Sequence, residues 1–213
     1  MKVINFSVGR DHFGNEDRLK VIDIGEDAIV AILADGMGGS DSGSIAAETI
    51  VESIASFVKK QYEDCNEQQT IYKALDYANE QLAKTNTEKK IKTGAAVAVA
   101  LITKQQMYYT WQGNVRIYVC NQGHTKLITN DHLVHIGYGN TALTRCIKGE
   151  PLYEDVPFGF MSIEPNDIIW ICSDGFYSSA EQFIGTLSPD IINKKLTQVD
   201  DDASYICISE FLL

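Results

Sequence analysis

The sequence predicts an α+β fold, with mostly antiparallel sheets and helices segregated outside them. Three observations carry this expectation. Apolar runs of strand length come early in the chain and then in close succession after residue 93. Two long amphipathic stretches separate these groups, and two short ones lie near the C-terminal end. No solenoid-period repeat, low-complexity segment or linker interrupts the 213 residues, so one domain over 1–213 is expected.

The elements follow in order. Residues 3–8 and 19–24 read as short strands. Residues 28–34 (AIVAILA) are a continuous apolar run, as expected of a strand buried on both faces, and stop at Asp35-Gly36-Met37-Gly38-Gly39-Ser40. Helical spacing of Ile45, Thr49, Ile50, Ile54, Phe57 and Val58 predicts a helix over 42–61, capped by Ser42 or Ser44. A second is predicted over 67–85, with Ile71, Ala74, Leu75, Ala78 and Leu82 on one stripe. Both are polar on the opposite face, which suits helices lying on a sheet.

From Thr93 the texture turns to β, with strands expected over 94–102, 107–111, 115–120 and 125–128. Lys104-Gln105-Gln106, Gly113-Asn114 and Asn121-Gln122-Gly123 connect them. Residues 130–144 are weakly patterned and read as a loop. Strands near 155–163 and over 167–172 (DIIWIC) precede Ser173-Asp174-Gly175. Short helices over 179–184 and 189–196 and a strand over 203–211 complete the chain.

Charge narrows the function. Eighteen Lys and Arg against 29 Asp and Glu leave a net −11, which argues against retention on nucleic acid or anionic lipid by bulk charge. No apolar run reaches 18 residues and the N-terminal stretch lacks a signal-peptide core, so no membrane partner is expected. Five scattered cysteines without a CxxC pair suit reduced thiols and a cytoplasmic location.

Two apolar runs end in Asp-Gly, at Asp35-Gly36 and Asp174-Gly175. Each alone is also an ordinary turn signal. Two further acidic groups, Asn15-Glu16-Asp17 and Asp200-Asp201-Asp202, precede strands. Were these four sites to converge, the carboxylates would repel and raise one another's pKa. A hard divalent cation removes that cost, and all-oxygen ligation selects Mg²⁺, Mn²⁺ or Ca²⁺ over Zn²⁺. The glycines of Gly36-Met37-Gly38-Gly39 would let a main-chain carbonyl approach such an ion. A phosphate loop fits less well, since no GxxxxGK[ST] is present. His132 and His135 lack a third ligand, and Tyr108, Tyr109 and Trp111 lack basic neighbours, so neither group reads as a metal or nucleic-acid site.

Taken together and in order, these motifs resemble the metal-dependent protein phosphatases of type 2C, the PPM family. The resemblance rests on Asn15-Glu16-Asp17, on Ala34-Asp35-Gly36-Met37-Gly38-Gly39, on Thr93-Gly94-Ala95-Ala96, and on Gly113-Asn114-Val115-Arg116 where the family has GDSR. It continues through 143–149, Cys172-Ser173-Asp174-Gly175 and Asp201-Asp202-Ala203-Ser204. It implies an αββα sandwich of two antiparallel sheets flanked by helices, with two Mn²⁺ or Mg²⁺ ions in a cleft. Asp35 would bridge the ions, the Gly36 carbonyl would bind one, Glu16 and Asp17 would surround the other, and Asp174 and Asp201 would complete the first. The implied reaction is hydrolysis of phosphoserine and phosphothreonine in a protein by a water activated at that centre, reversing a kinase. A binding module with weak catalysis, or a small-molecule phosphate-ester hydrolase, are the alternatives. A monomer is expected.

Three departures from the family pattern stand out. The phosphate-binding Arg of many relatives is His12 here, which leaves Arg10 or His12 for the phosphate. The GDSR-type Asp is Asn114, a weaker ligand for a hard cation, so a third metal site is expected to be weak or absent. The flap before Arg145 is short, which should leave the cleft open and alter substrate choice.

Overall fold

The computed structural model describes residues 1–10, 14–25, 27–37, 41–62, 66–138, 140–152 and 155–211. Strands β1 (Lys2–Val8), β2 (Asp17–Ile24) and β3 (Ala28–Met37) lead into helices α1 (Asp41–Gln61) and α2 (Glu67–Lys89). Strands β4 (Gly94–Ile102), β5 (Gln106–Gln112), β6 (Arg116–Asn121) and β7 (His124–Leu127) follow, then β8 (Leu133–Gly137), β9 (Asn140–Leu143), β10 (Phe158–Ser162) and β11 (Ile168–Cys172). Helices α3 (Asp174–Ala180) and α4 (Pro189–Lys195) flank a 3₁₀ turn at Glu181–Phe183, and β12 (Ala203–Ser209) ends the order.

Two five-stranded sheets result, ordered β1-β12-β11-β6-β7 and β10-β5-β4-β3-β2, with antiparallel pairing throughout. The α+β expectation therefore holds, and the alternation of side chains along each strand explains the layering. On β3, Val30, Ile32 and Ala34 pack with Ile50, Ile54 and Leu75 of the two long helices. The intervening Ile29, Ala31 and Leu33 join Ile117, Ile169 and Ile206 of the other sheet. On that sheet's far face, Trp170, Cys172 and Tyr205 meet Phe176 of α3 and Ile192 of α4. Three apolar layers thus hold four structural ones together, and the apolar runs of β3 and β4 are unbroken because both faces are buried. The edge strand β2 carries charge instead: Arg18 and Lys20 pair with Glu48 and Glu52 of α1, at 2.9 and 2.6 Å. Among the described residues no helix is long and apolar enough to cross a membrane.

Three expectations change. The supposed loop 130–144 contains the β8–β9 hairpin. Its outward residues Val134 and Ile136 are exposed, so no burial pattern marked it as a strand pair. The helix expected from 179 starts at Asp174, with Ser173 at the N-cap position and the acid of Asp174 in its favourable first turn. The strand near 155–163 is confined to β10, just after Pro157.

Candidate functional site

The acidic groups sit where the edges of the two sheets meet. Asp17 opens β2 and Asp35 lies near the end of β3, and the strand register makes them direct partners. Directly opposed residues hold their Cβ atoms about 5 Å apart, so two carboxylates are forced together on one face. On its other side Asp35 faces Ala96 of β4, whose small side chain leaves space. A cavity of about 170 Å³ opens there, lined by Asp35, Met37, Ala96, Asn114 and Asp174 and by Leu133, Thr141 and Leu143 of the hairpin.

The other sheet supplies Asp174 from the first turn of α3, just beyond β11. Its carboxylate raises the pKa of Asp35 and accepts a hydrogen bond from the Asn114 amide (Nδ2 to Oδ2, 2.9 Å). Gly175, next in α3, has no alternative: a Cβ there would lie 2.3 Å from the Asp202 carbonyl. The Ser173 hydroxyl donates to Asp17 Oδ2 at 2.8 Å and accepts the Ser204 N–H at 2.9 Å, which ties β2, β11 and β12 at one point.

Glu16 is committed to structure. Its Oε1 accepts the Gly43 N–H in the first turn of α1 at 3.1 Å, a helix-capping contact. Gly36 and Gly43 permit this junction, since a Cβ on Gly36 would stand 2.2 Å from the Gly43 carbonyl oxygen. Asp202, buried, accepts the N–H of Arg10 (2.9 Å) and of Glu16 (2.7 Å), one on each carboxylate oxygen. Its neighbour Asp201 lies outward, where Arg10 Nη1 reaches its Oδ1 at 3.3 Å. Arg10 Nη2 is 3.9 Å from Glu16 Oε2. The structure thus brings Glu16, Asp17, Asp35, Gly36, Asp174, Asp201 and Arg10 to one region; His12, Gly38 and Gly39 lie outside the described residues.

Sequence reasoning overlooked Asp202, Ser173 and Asn114 as positioning groups. The signals were present: Asp202 immediately precedes a buried strand and so points inward, and Ser173 separates a buried strand from an acid. The Arg116 network was also unread. Its guanidinium forks onto Asp131 (Nη2 to Oδ2, 2.8 Å), reaches Glu181 at 3.0 Å and lies 3.8 Å over the Tyr177 ring. It thereby fastens α3 and the start of the hairpin to β6. His132 has a structural task, with Nδ1 accepting the Gly113 N–H at 3.0 Å and the ring stacked on Trp111.

Burial and mutual repulsion set the electrostatics. Burial, opposed by hydrogen bonds from Ser204 and Ser173 and helped by the charges of Asp202 and Asp174, pushes Asp17 up to about 8. Burial and then the charges of Asp17 and Asp174 hold Asp35 well above the carboxylate range. Burial also raises Glu16 and Asp201. Asp17 therefore holds its proton up to about pH 8 in the cation-free protein. Among the described residues no three Asp, Glu, His or Cys side chains are drawn in tightly enough to hold an ion. The donor chemistry nonetheless fits a hard divalent cation. The donors are all oxygen, Asp17 Oδ1 is buried without a partner, and positive charge would replace the protons that relieve repulsion.

Comparisons with known proteins place this geometry. The family profile described as protein phosphatase 2C matches residues 15–135, more than half the chain. A Streptococcus pyogenes chain with a provisional protein phosphatase 2C-type assignment is 26% identical over 195 residues, covering 82% of this chain and 78% of the relative. The serine/threonine phosphatase Stp1 of Staphylococcus aureus superposes with a TM-score of 0.79 at 18% identity, over 98% of this chain and 94% of that one. The Mycobacterium tuberculosis phosphatase PstP/Ppp gives 0.74 at 16% identity, over 97% of both chains. A PstP catalytic domain of the same score and identity, covering 97% of this chain and 96% of that one, is described in complex with two manganese ions. With the profile spanning both partners of the Asp17–Asp35 register pair, and the sheet pair that carries them shared over nearly the full length, the chain belongs to the protein phosphatase 2C family.

Proposed function

We propose that the chain is one catalytic domain that hydrolyses phosphoserine and phosphothreonine monoesters in proteins, with two Mn²⁺ or Mg²⁺ ions as cofactors. The observation that carries this reading is the meeting of Asp17, Asp35 and Asp174 at one point, where the raised pKa values of Asp17 and Asp35 mark a place built for positive charge. Asp35, Asp17, Asp174, Asp201 and the Gly36 carbonyl would hold the ions, with Glu16 beside them. When bound, such ions acidify a water and offset charge on phosphoryl oxygens.

The chain's own residues do the positioning. Ser173 occupies one oxygen of Asp17 and leaves Oδ1 for a ligand. The Asn114 amide orients Asp174. That same amide, neutral and already donating, supports a third-ion site that is weak or absent. Asp202 holds the backbone of Arg10 and Glu16 between β1 and β2, so the Arg10 guanidinium stands at the rim beside Asp201, where a phosphate oxygen would meet it. The thiol nearest the acids in sequence is no nucleophile: Cys172, two residues before Asp174, is fully buried and its pKa is raised well above the ordinary thiol value by that burial. The intact acids favour catalysis over a mere binding module. The partners are then a phosphorylated protein and the kinase it opposes, with the chain acting as a monomer in the cytoplasm.

The test is turnover of a phosphothreonine peptide with Mn²⁺, set against Asp35→Asn and Asp174→Asn. A loss of at least about 100-fold in each variant is expected, beyond that of an outer positioning group. Equal, negligible turnover in all three proteins overturns the reading. Faster hydrolysis of sugar or nucleotide phosphates than of the peptide would favour a small-molecule hydrolase.

A further inference from the structure

A groove of about 660 Å³ runs along the outer side of α2, away from the acidic cluster. Its second wall is the segment after the hairpin, represented by Gly149–Leu152 and Val156. This wall is fixed to the helix. The buried Asn79 donates to the Glu150 carbonyl (2.6 Å) and accepts the Gly149 N–H (2.8 Å), and the Tyr72 hydroxyl donates to the Val156 carbonyl (3.2 Å). Gly149, at φ +82, presses so close to Ala83 that a Cβ would lie 2.8 Å from its Cα. The groove is therefore preformed, and occupying it costs little ordering.

Two properties indicate what it takes. Its floor and wall are aliphatic, from Leu75, Leu152 and Val156, while Asp76, Glu80 and Glu150 edge it and no Lys, Arg or His lines it among the described residues. It is also linked to the acidic cleft through a hollow that shares a wall with each. Glu150 lines both this groove and a second hollow of about 420 Å³, and Met37 lines both that hollow and the cavity at Asp35. Shared walls thus set the second hollow between the cavity at Asp35 and the α2 groove.

We propose that the α2 groove docks the polypeptide of the phosphorylated substrate beyond its phosphoresidue, and that it selects a segment bearing Lys or Arg next to an aliphatic residue. This rests on the phosphatase reading. An aliphatic side chain settles on Leu152 and Val156, and the cation pairs with Asp76 and Glu80, both on exposed turns of the helix.

The experiment compares wild type with Asp76→Lys/Glu80→Lys, and with Asp23→Lys/Asp190→Lys as a control of equal charge change elsewhere. A phosphothreonine peptide with an Arg- and Leu-containing flank, the same peptide with a Glu-containing flank, and p-nitrophenyl phosphate are assayed with Mn²⁺. Polarisation measures binding of the unphosphorylated, fluorescent basic flank. The expected result is that groove reversal raises KM for the basic peptide, and Kd for the flank, about tenfold with kcat unchanged. The control variant and turnover of p-nitrophenyl phosphate stay at wild-type values. Equal effects from groove and control variants, or tighter binding of the acidic flank by wild type, overturn the proposal. Should no ester be hydrolysed while the basic flank still binds and groove reversal still releases it, the phosphatase reading fails and the groove's charge selection stands.

Discussion

Removing cations should make this protein less stable as pH rises, and replacing Asp17 by Asn should cure much of that loss. Asp17 titrates near 8 in the folded chain against an ordinary 3.8, because burial outweighs the hydrogen bonds that favour its charge. Between those values the native state keeps a proton that the unfolded state releases, so stability is fully present below the lower value and is lost as pH rises through the upper one. Each pH unit inside that window removes about 1.4 kcal/mol for one group, so the step from pH 5 to pH 7 costs about 3 kcal/mol. Asp35, Glu16 and Asp201, all raised, act in the same direction. His132, lowered by burial, acts oppositely near its ordinary value of 6.5, and the difference between wild type and variant removes its contribution. In Asp17→Asn the amide oxygen still accepts from Ser173, and the amide N–H takes the place of the unpartnered Oδ1. The assay is urea unfolding of chelator-stripped protein at pH 5, 6, 7 and 8. The variant's advantage should grow by about 1.4 kcal/mol per unit across that range until it levels near 8. Cation at a hundred times its Kd should restore about 2.7 kcal/mol to wild type. A variant-minus-wild-type difference that is flat with pH would refute the burial argument.

Asn114→Asp sets a second carboxylate against Asp174 in place of a 2.9 Å hydrogen bond, so the cation-free protein should lose about 1–3 kcal/mol while its affinity for Mn²⁺ rises; calorimetric melting and titration check both. Gly175→Ala drives a Cβ against the Asp202 carbonyl and should cost more than about 2 kcal/mol together with cation affinity, read by denaturation and metal titration. Arg116→Met strands Asp131 and should destabilise the fold by about 1–3 kcal/mol, with faster amide exchange in α3 than in α1. Ser173→Ala should lower Mn²⁺ affinity about tenfold, because Asp17 loses the donor that orients it and Ser204 loses its acceptor.

The strands and long helices were legible wherever burial imposed a period. Residues 28–34 are apolar without a break because β3 is covered on both faces, and the stripe from Ile71 to Leu82 recurs because α2 is covered on one. The β8–β9 hairpin was illegible for the converse reason: its outer face meets water, so nothing constrained its residues to alternate. The start of α3 was hidden because Ser-Asp-Gly serves a turn and a helix N-terminus equally, and the Tyr177 N–H bonding back to the Ser173 carbonyl makes it the latter.

By itself the chain determined which chemistry was present. Acids follow or precede strands, glycines stand beside them, and no thiol or imidazole set competes, because donor type and local turn preference are properties of neighbouring residues. Only the tertiary structure decided which acids meet and what each one does. Asp17 and Asp35 are joined by a strand register, Asp174 arrives from the other sheet, and Asp202 rather than Asp201 turns inward to bind backbone. Contacts spanning 150 residues or more, such as Ser173 to Asp17, depend on how two sheets stack, and stacking is settled by the summed fit of three apolar layers rather than by any local stretch.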